Sequence, residues 1–194
     1  MTNGWYKIVD PDVPITQGDI IFDCPLVTWR GDQLPDLEGK DESEVLKAAT
    51  VVTIADVIVL TQACDLQYDK VANVILCPHL CLEEYRTVWE KEMIRNGQNP
   101  TSKGWKSHCD DICDGFVWNL VMINNSQMDS HKIDIRLIDF RDVFSVPRTF
   151  VESLLRKRNQ PRFSLLPPYR EHLSQAFARF FMRVGLPIEI NQTW

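Results

Sequence analysis

Residues 50–61 concentrate Val51, Val52, Thr53, Ile54, Val57, Ile58 and Val59. Branching at Cβ restricts χ1 and favours the pleated strand over the helix, so this run commits the chain to a fold built on a sheet. The run reads as one or two strands, and the second, 56–61, has four consecutive apolar positions at 57–60, which predicts a strand covered on both faces.

Shorter segments of the same kind surround the run. Residues 18–27 read as a strand entered through a turn, with Pro25 marking an edge or a bulge. Residues 31–43 are polar and read as an exposed loop. Asn73-Val74-Ile75-Leu76 centres a strand over 72–77, stopped by Pro78. Residues 82–95 have helical composition, with Leu82, Tyr85, Val88 or Trp89, and Ile94 able to share a face. Residues 96–114 are polar and irregular. Residues 116–123 read as a strand, followed by a turn at Asn124-Asn125-Ser126. Residues 133–140 alternate as a half-buried strand does. A short helix follows Pro147, around 150–156. Pro167-Pro168 opens a last helix whose apolar face is Leu173, Phe177, Phe180, Phe181 and Val184, ended by Gly185 and Pro187.

The predicted fold class is therefore mainly β (α+β). A small SH3-like curled sheet or barrel occupies 1–144, with a helix-loop insertion at about 82–115. A basic helical C-terminal extension, 145–194, packs on that core.

Composition removes several classes. An apolar content of 44% in 194 residues excludes disorder as a description of the whole chain. With 8 Gly and 11 Pro, collagen-like and low-complexity architectures fail as well. No apolar run approaches the roughly 18 residues of a membrane span. The N-terminus has no basic region followed by an apolar one, so a cytoplasmic location is expected and the six cysteines should be thiols or metal ligands. Charge is unevenly placed. From Ser145 onward there are 8 basic and 3 acidic residues, against 13 basic and 24 acidic before it. Such asymmetry marks either an anion-binding tail or a basic segment folded against its own acidic body.

Two cysteine constellations carry chemistry. Leu60-Thr61-Gln62-Ala63-Cys64-Asp65 ends the apolar strand in Gln62, Cys64 and Asp65, the candidate catalytic residues. A thiolate there is a nucleophile if a cation or histidine activates it, with His79 or His131 as partner. The competing reading is a buried thiol with Asp65 capping a turn. Cys77 and Cys81, then Cys109 and Cys113, form two Cys-x3-Cys pairs, each adjoined by a histidine. Four thiolates suit structural zinc, while scattered free cysteines are the alternative. Asp110, Asp111 and Asp114, and Asp139 with Asp142, could hold magnesium or form a solvated acidic surface. In the tail, Arg162, Arg170, Arg179 and Arg183 are candidate nucleic-acid ligands, with Tyr169 and His172 placed to stack on bases. The same last helix could equally dock on the sheet.

Gly18-Asp19-Ile20-Ile21 leading to Pro25, Val57-Ile58-Val59-Leu60-Thr61 followed by Val74-Ile75-Leu76-Cys77-Pro78, and Arg136-Leu137-Ile138-Asp139-Phe140 together resemble the MazF/PemK toxin family over about 40 residues. The resemblance implies an SH3-like barrel. It departs where the family's RNA-cleavage chemistry sits. Ala55 and Asp56 stand at the place of an arginine before the buried strand, and His79 and Leu80 at the place of a hydroxyl. It therefore implies a fold more than an activity.

The expected function is a cytosolic, prokaryote-type barrel that binds nucleic acid or a nucleotide-like ligand, with a toxin or phage-defence context implied by the resemblance alone. Two alternatives stand beside it: a non-catalytic module for a protein partner, and a cysteine- or metal-dependent hydrolase.

Overall fold

The computed structural model describes residues 4–31, 39, 41–128 and 130–182. In chain order its elements are β1 (Tyr6–Val9), β2 (Ile20–Trp29), α1 (Glu42–Ala49), β3 (Thr50–Val59), α2 (Ala63–Gln67), β4 (Asn73–Cys81), α3 (Leu82–Arg95), α4 (Ser102–Cys113), β5 (Leu120–Ile123), β6 (Ser126–Met128), β7 (His131–Ile133), β8 (Arg136–Asp139), β9 (Phe144–Pro147), α5 (Arg148–Arg158), β10 (Arg162–Leu165) and α6 (Tyr169–Phe181). This is an α+β chain with antiparallel pairings, and among the described residues no sheet closes into a barrel. The closed form of the expected core is thus not what forms. No described helix is long and apolar enough to cross a membrane.

Two compact units divide the chain. One, here the sheet unit, holds Ile8–His79 and Val143–Ser164; the other, helix-rich, holds Met1–Lys7, Leu80–Asp142 and Leu165–Trp194. Residues 145–164 and 165–194 therefore belong to different units.

In the sheet unit, β2 pairs with β3, β3 with β4, and β4 with β9. The β-branched run forms one continuous strand, and its second half is covered on both faces: Val57, Ile58 and Val59 are fully buried. The core joins Val57, Val59, Val74 and Leu76 of the sheet to Val151 and Leu155 of α5, four residues apart on one helical face. Pro78 does not end its strand. It lies inside β4 opposite Val57, past Leu76↔Phe144 where the β9 ladder stops, so its missing N–H removes no bond from that ladder.

In the helix-rich unit, α3 occupies the predicted residues. Cys81 caps it: the Cys81 sulfur accepts the Glu84 N–H at 3.4 Å, and the Glu84 carboxylate accepts the Cys81 N–H at 2.8 Å. The segment expected to be irregular contains a second helix, α4, started by the Thr101 hydroxyl accepting from the Gly104 N–H at 3.1 Å. Ile112 of α4 packs on Leu120 of β5 and Leu137 of β8. On α6, Leu173 and Ala176 are buried, and Phe177 meets Phe140 edge-on at 5.4 Å. Val184, Gly185 and Pro187 lie outside the described residues.

Candidate functional site

The end of β3 is pegged from two sides. Gln17 donates its side-chain amide to the Leu60 carbonyl at 3.0 Å, and the Thr61 hydroxyl accepts the Ile75 N–H at 2.7 Å. The chain then turns into α2, which Gln62 caps and which carries Cys64 and Asp65 in its first turn. Cys64 is exposed, and its Sγ lies 3.7 Å from Gln62 Oε1 and 3.7 Å from Asp65 Oδ1. Asp65 also lies 3.9 Å from Lys70 Nζ. Both neighbours of the sulfur are oxygens; of the groups that activate a thiolate (a cation, a histidine or a helix N-terminus), only the first turn of the five-residue α2 is beside it. His79 is buried, edge-on to Phe22 at 6.2 Å, and His131 sits in β7 with Nδ1 3.5 Å from Ser130 Oγ. Among the described residues the hydrogen bonds of Cys64 go to Gln62 and Asp65, and His131 belongs to the helix-rich unit. The tail does send a guanidinium to this turn, from an arginine not singled out beforehand. Arg148 donates to the Leu66 carbonyl at 3.0 Å and to Asp69 at 2.5 Å, while its Nε holds Glu152 at 2.6 Å.

That arginine opens α5, the most basic element of the sheet unit. Arg156, Lys157 and Arg158 fill its last turn, where the exposed helix carbonyls favour cations. Leu155 of α5 lines two clefts. A cleft of about 220 Å³ lies against the stretch 11–15, with Arg148, Glu152 and Arg156 on its wall. Another of about 270 Å³ lies against the start of β2, with Arg158, Gln160 and Arg162 on its wall.

The second cleft borders a bulge in β2. Between Ile21↔Val57 and Cys24↔Ala55 the strand has one extra residue, and Asp23 takes a left-handed conformation with φ 51°. Asp56 Oδ1 accepts the Asp23 N–H at 3.0 Å, and Arg158 donates to the Phe22 and Asp23 carbonyls at 2.5 and 2.6 Å. Asp56 thus fixes the bulge. Burial pushes the neighbouring Cys24 thiol up, with Arg158 opposing.

Arg162 is no surface ligand. It is 4% exposed and donates to Asp19 at 2.7 Å and to the carbonyls of Asp10, Val13 and Pro14 at 3.2, 2.8 and 3.0 Å. The sequence favours exposure for an isolated arginine, and its buried partner lies 143 residues away, out of reach of any local pattern. Arg156 and Lys157 are both exposed and make no ion pair or hydrogen bond among the described residues.

The other tail arginines belong to the helix-rich unit. Arg170 is held by Glu171 at 2.7 Å. Arg179 is exposed, and its guanidinium lies against Gly115, where an added Cβ would fall 2.9 Å from Nη2. Arg183 lies outside the described residues. Tyr169 stacks on Trp5 at 3.9 Å, which occupies one face of its ring, and His172 is exposed.

The four cysteines proposed for zinc are divided between the units, Cys77 in the sheet unit and Cys81, Cys109 and Cys113 in the helix-rich one. Cys77 is buried in β4, Cys81 caps α3, and Cys109 and Cys113 lie one turn apart on α4, the latter 3.9 Å from Met122 Sδ. No group of three or more His, Cys, Asp or Glu is placed to hold a metal ion among the described residues. Two of the acidic groups have partners: Asp110 pairs with Lys106 at 2.6 Å, and Asp139 accepts from both Arg141 and Asn119.

One cluster went unforeseen. Tyr85 Oη lies 2.9 Å from His108 Nε2, and Trp89 and Trp105 enclose the pair, with Arg86 5.7 Å above the Trp105 ring. Burial pushes the Tyr85 hydroxyl up to about 12, helped by Asp139 and Glu92. Burial also lowers His108, against Asp111 and Glu92. The signal was in the sequence: Tyr85 and Trp89 are four apart and Trp105 and His108 three apart, both helical spacings.

The chain matches no known protein-family model and none of the curated proteins.

Proposed function

We propose that the protein binds single-stranded nucleic acid along α5, with phosphates on Arg156 and Lys157 and bases directed into the two clefts. The observation that supports this reading is a pair of exposed cations that make no ion pair or hydrogen bond among the described residues, on a helix whose Leu155 lines two clefts. Uncommitted cations can exchange counterions for phosphates, which is the main source of such affinity. The bulged sheet beside α5 fits an SH3-like curl, the shape implied by the MazF/PemK resemblance, and a toxin or phage-defence setting would follow from that likeness. Strand cleavage is not part of the proposal, because Cys64 has oxygen neighbours only and the family's arginine is replaced by Asp56.

Fluorescence anisotropy with labelled RNA and DNA strands of about 20 nucleotides tests this between about 50 and 200 mM salt. Replacing both cations (Arg156→Ala with Lys157→Ala) should weaken binding about tenfold and reduce the salt slope by about 1.4, the value for two single-strand contacts. Absence of saturable binding, or a double variant that binds like the parent, refutes it.

A further inference from the structure

β2 is the outermost strand of its sheet; among the described residues it pairs with β3 alone. The Arg30 N–H donates to the Ala49 carbonyl at 2.8 Å, toward β3. Backbone groups alternate sides along a strand, so Thr28 and Leu26 also turn inward, and Val27 and Trp29 turn their N–H and C=O outward. Pro25 falls on the outer side too, where its missing N–H leaves the β3 ladder intact.

This open edge is apolar. Val27 and Trp29 are 65% and 68% exposed, and Val52 and Ile54 beside them on β3 are 65% and 62% exposed. The register places Val27 against Val52 and Pro25 against Ile54, so all of them share one face. Between Asp23 and Arg30 the edge has no charged residue, although edge strands are ordinarily blunted by charges. The charges sit at its two ends and have opposite sign.

We infer that β2 pairs antiparallel with the β2 of a second copy of this chain, with Val27 on the two-fold axis. In that register each Val27 exchanges both backbone bonds with its counterpart, and each Trp29 donates its N–H to the other copy's Pro25 carbonyl. Trp29 then lies over the opposite Pro25, a cross-strand apolar pair. Exposed Asp23 of one copy comes beside exposed Arg30 of the other at both ends of the seam. A parallel arrangement would set like charges together, so charge selects the antiparallel one and makes the edge complementary to itself.

Sedimentation velocity on the full chain tests the inference. The parent should sediment as a dimer at concentrations of about 100 µM, in the range of modest interfaces, and Val27→Lys should sediment as a monomer with an unchanged circular dichroism spectrum, since Val27 points to solvent. In a Cys64→Ser, Cys113→Ser background, Val27→Cys should crosslink to itself on mild oxidation. Paired Cα atoms there would be about 5.5 Å apart, inside the disulfide range. Val52→Cys, one strand further from the seam, should not crosslink. A monomeric parent, a dimer indifferent to Val27→Lys, or no Val27→Cys crosslink overturns the proposal.

Discussion

Arg162 offers the sharpest test of the structural reasoning, because sequence and structure assign it opposite roles. Its guanidinium makes four hydrogen bonds, one to the Asp19 carboxylate and three to carbonyls of the stretch 10–14. The two side chains are 3% and 0% exposed. Asp19 Oδ2 also accepts the Thr16 N–H at 3.0 Å, while Oδ1 is buried with no partner among the described residues. Arg162→Ala would therefore leave a buried carboxylate with one backbone donor and no counter-charge. Breaking such a pair from one side costs about 3–5 kcal/mol, which lowers Tm by roughly 10 °C in a chain of this size. Replacing both members by apolar residues of similar volume (Asp19→Leu with Arg162→Met) should recover most of that loss, because no unpaired charge remains. Urea unfolding followed by circular dichroism measures all three proteins, and the nucleic-acid affinity of the folded fraction is measured alongside. A loss below about 1 kcal/mol for Arg162→Ala, or a double variant as unstable as the single one, would refute the buried-pair account.

Two further predictions follow from exposure and titration. Iodoacetamide at neutral pH should modify exposed Cys64 first; Cys113 should lag, since burial and the charges of Asp110 and Asp114 push its thiol up, and buried Cys24 and Cys77 should react only after unfolding, as read by peptide mass mapping. His108 titrates below its ordinary 6.5 because burial disfavours the imidazolium. The unfolded chain then binds that proton more readily, so this contribution to stability is fully present above pH 6.5 and is lost as pH falls toward the depressed value; His108→Gln should flatten the stability profile across that window, and an unchanged profile counts against the Tyr85–His108 pair.

The legible parts of the fold were those set by local chemistry. The second half of the β-branched run gave a strand buried on both faces, and α3 needed only helical spacing. Residues 96–114 misled because Gly104 and a polar composition hide a helix whose apolar stripe is narrow. Trp105 and Ile112 do its packing, and Thr101 is the cap that betrays it. Pro78 misled because a proline reads as a stop until one knows which edge its nitrogen faces. The grouping of Gln62, Cys64 and Asp65 was legible as neighbours in sequence. The distant partners of Arg148, Arg158 and Arg162 were not, since those contacts span 79 or more residues.

Those long-range contacts decide between the two meanings of the basic tail. A cation available to a phosphate must not already be neutralised, because displacing an internal partner subtracts from the gain of binding. Arg148 holds Asp69 and Glu152, Arg162 holds Asp19, and Arg170 holds Glu171. Arg158 is spent on two carbonyls of the bulge. Within residues 145–182 three of these arginines, Arg148, Arg158 and Arg162, thus serve as mortar between distant segments, as a basic segment folded on an acidic body requires. What survives on the sheet unit is the adjacent pair Arg156 and Lys157. A ligand held there by two phosphate contacts binds weakly through charge alone, so useful affinity must come from bases entering the clefts beside Leu155. If those two cations prove dispensable, the tail's charge has no ligand on this unit to account for it, and the structural reading of the asymmetry stands by itself.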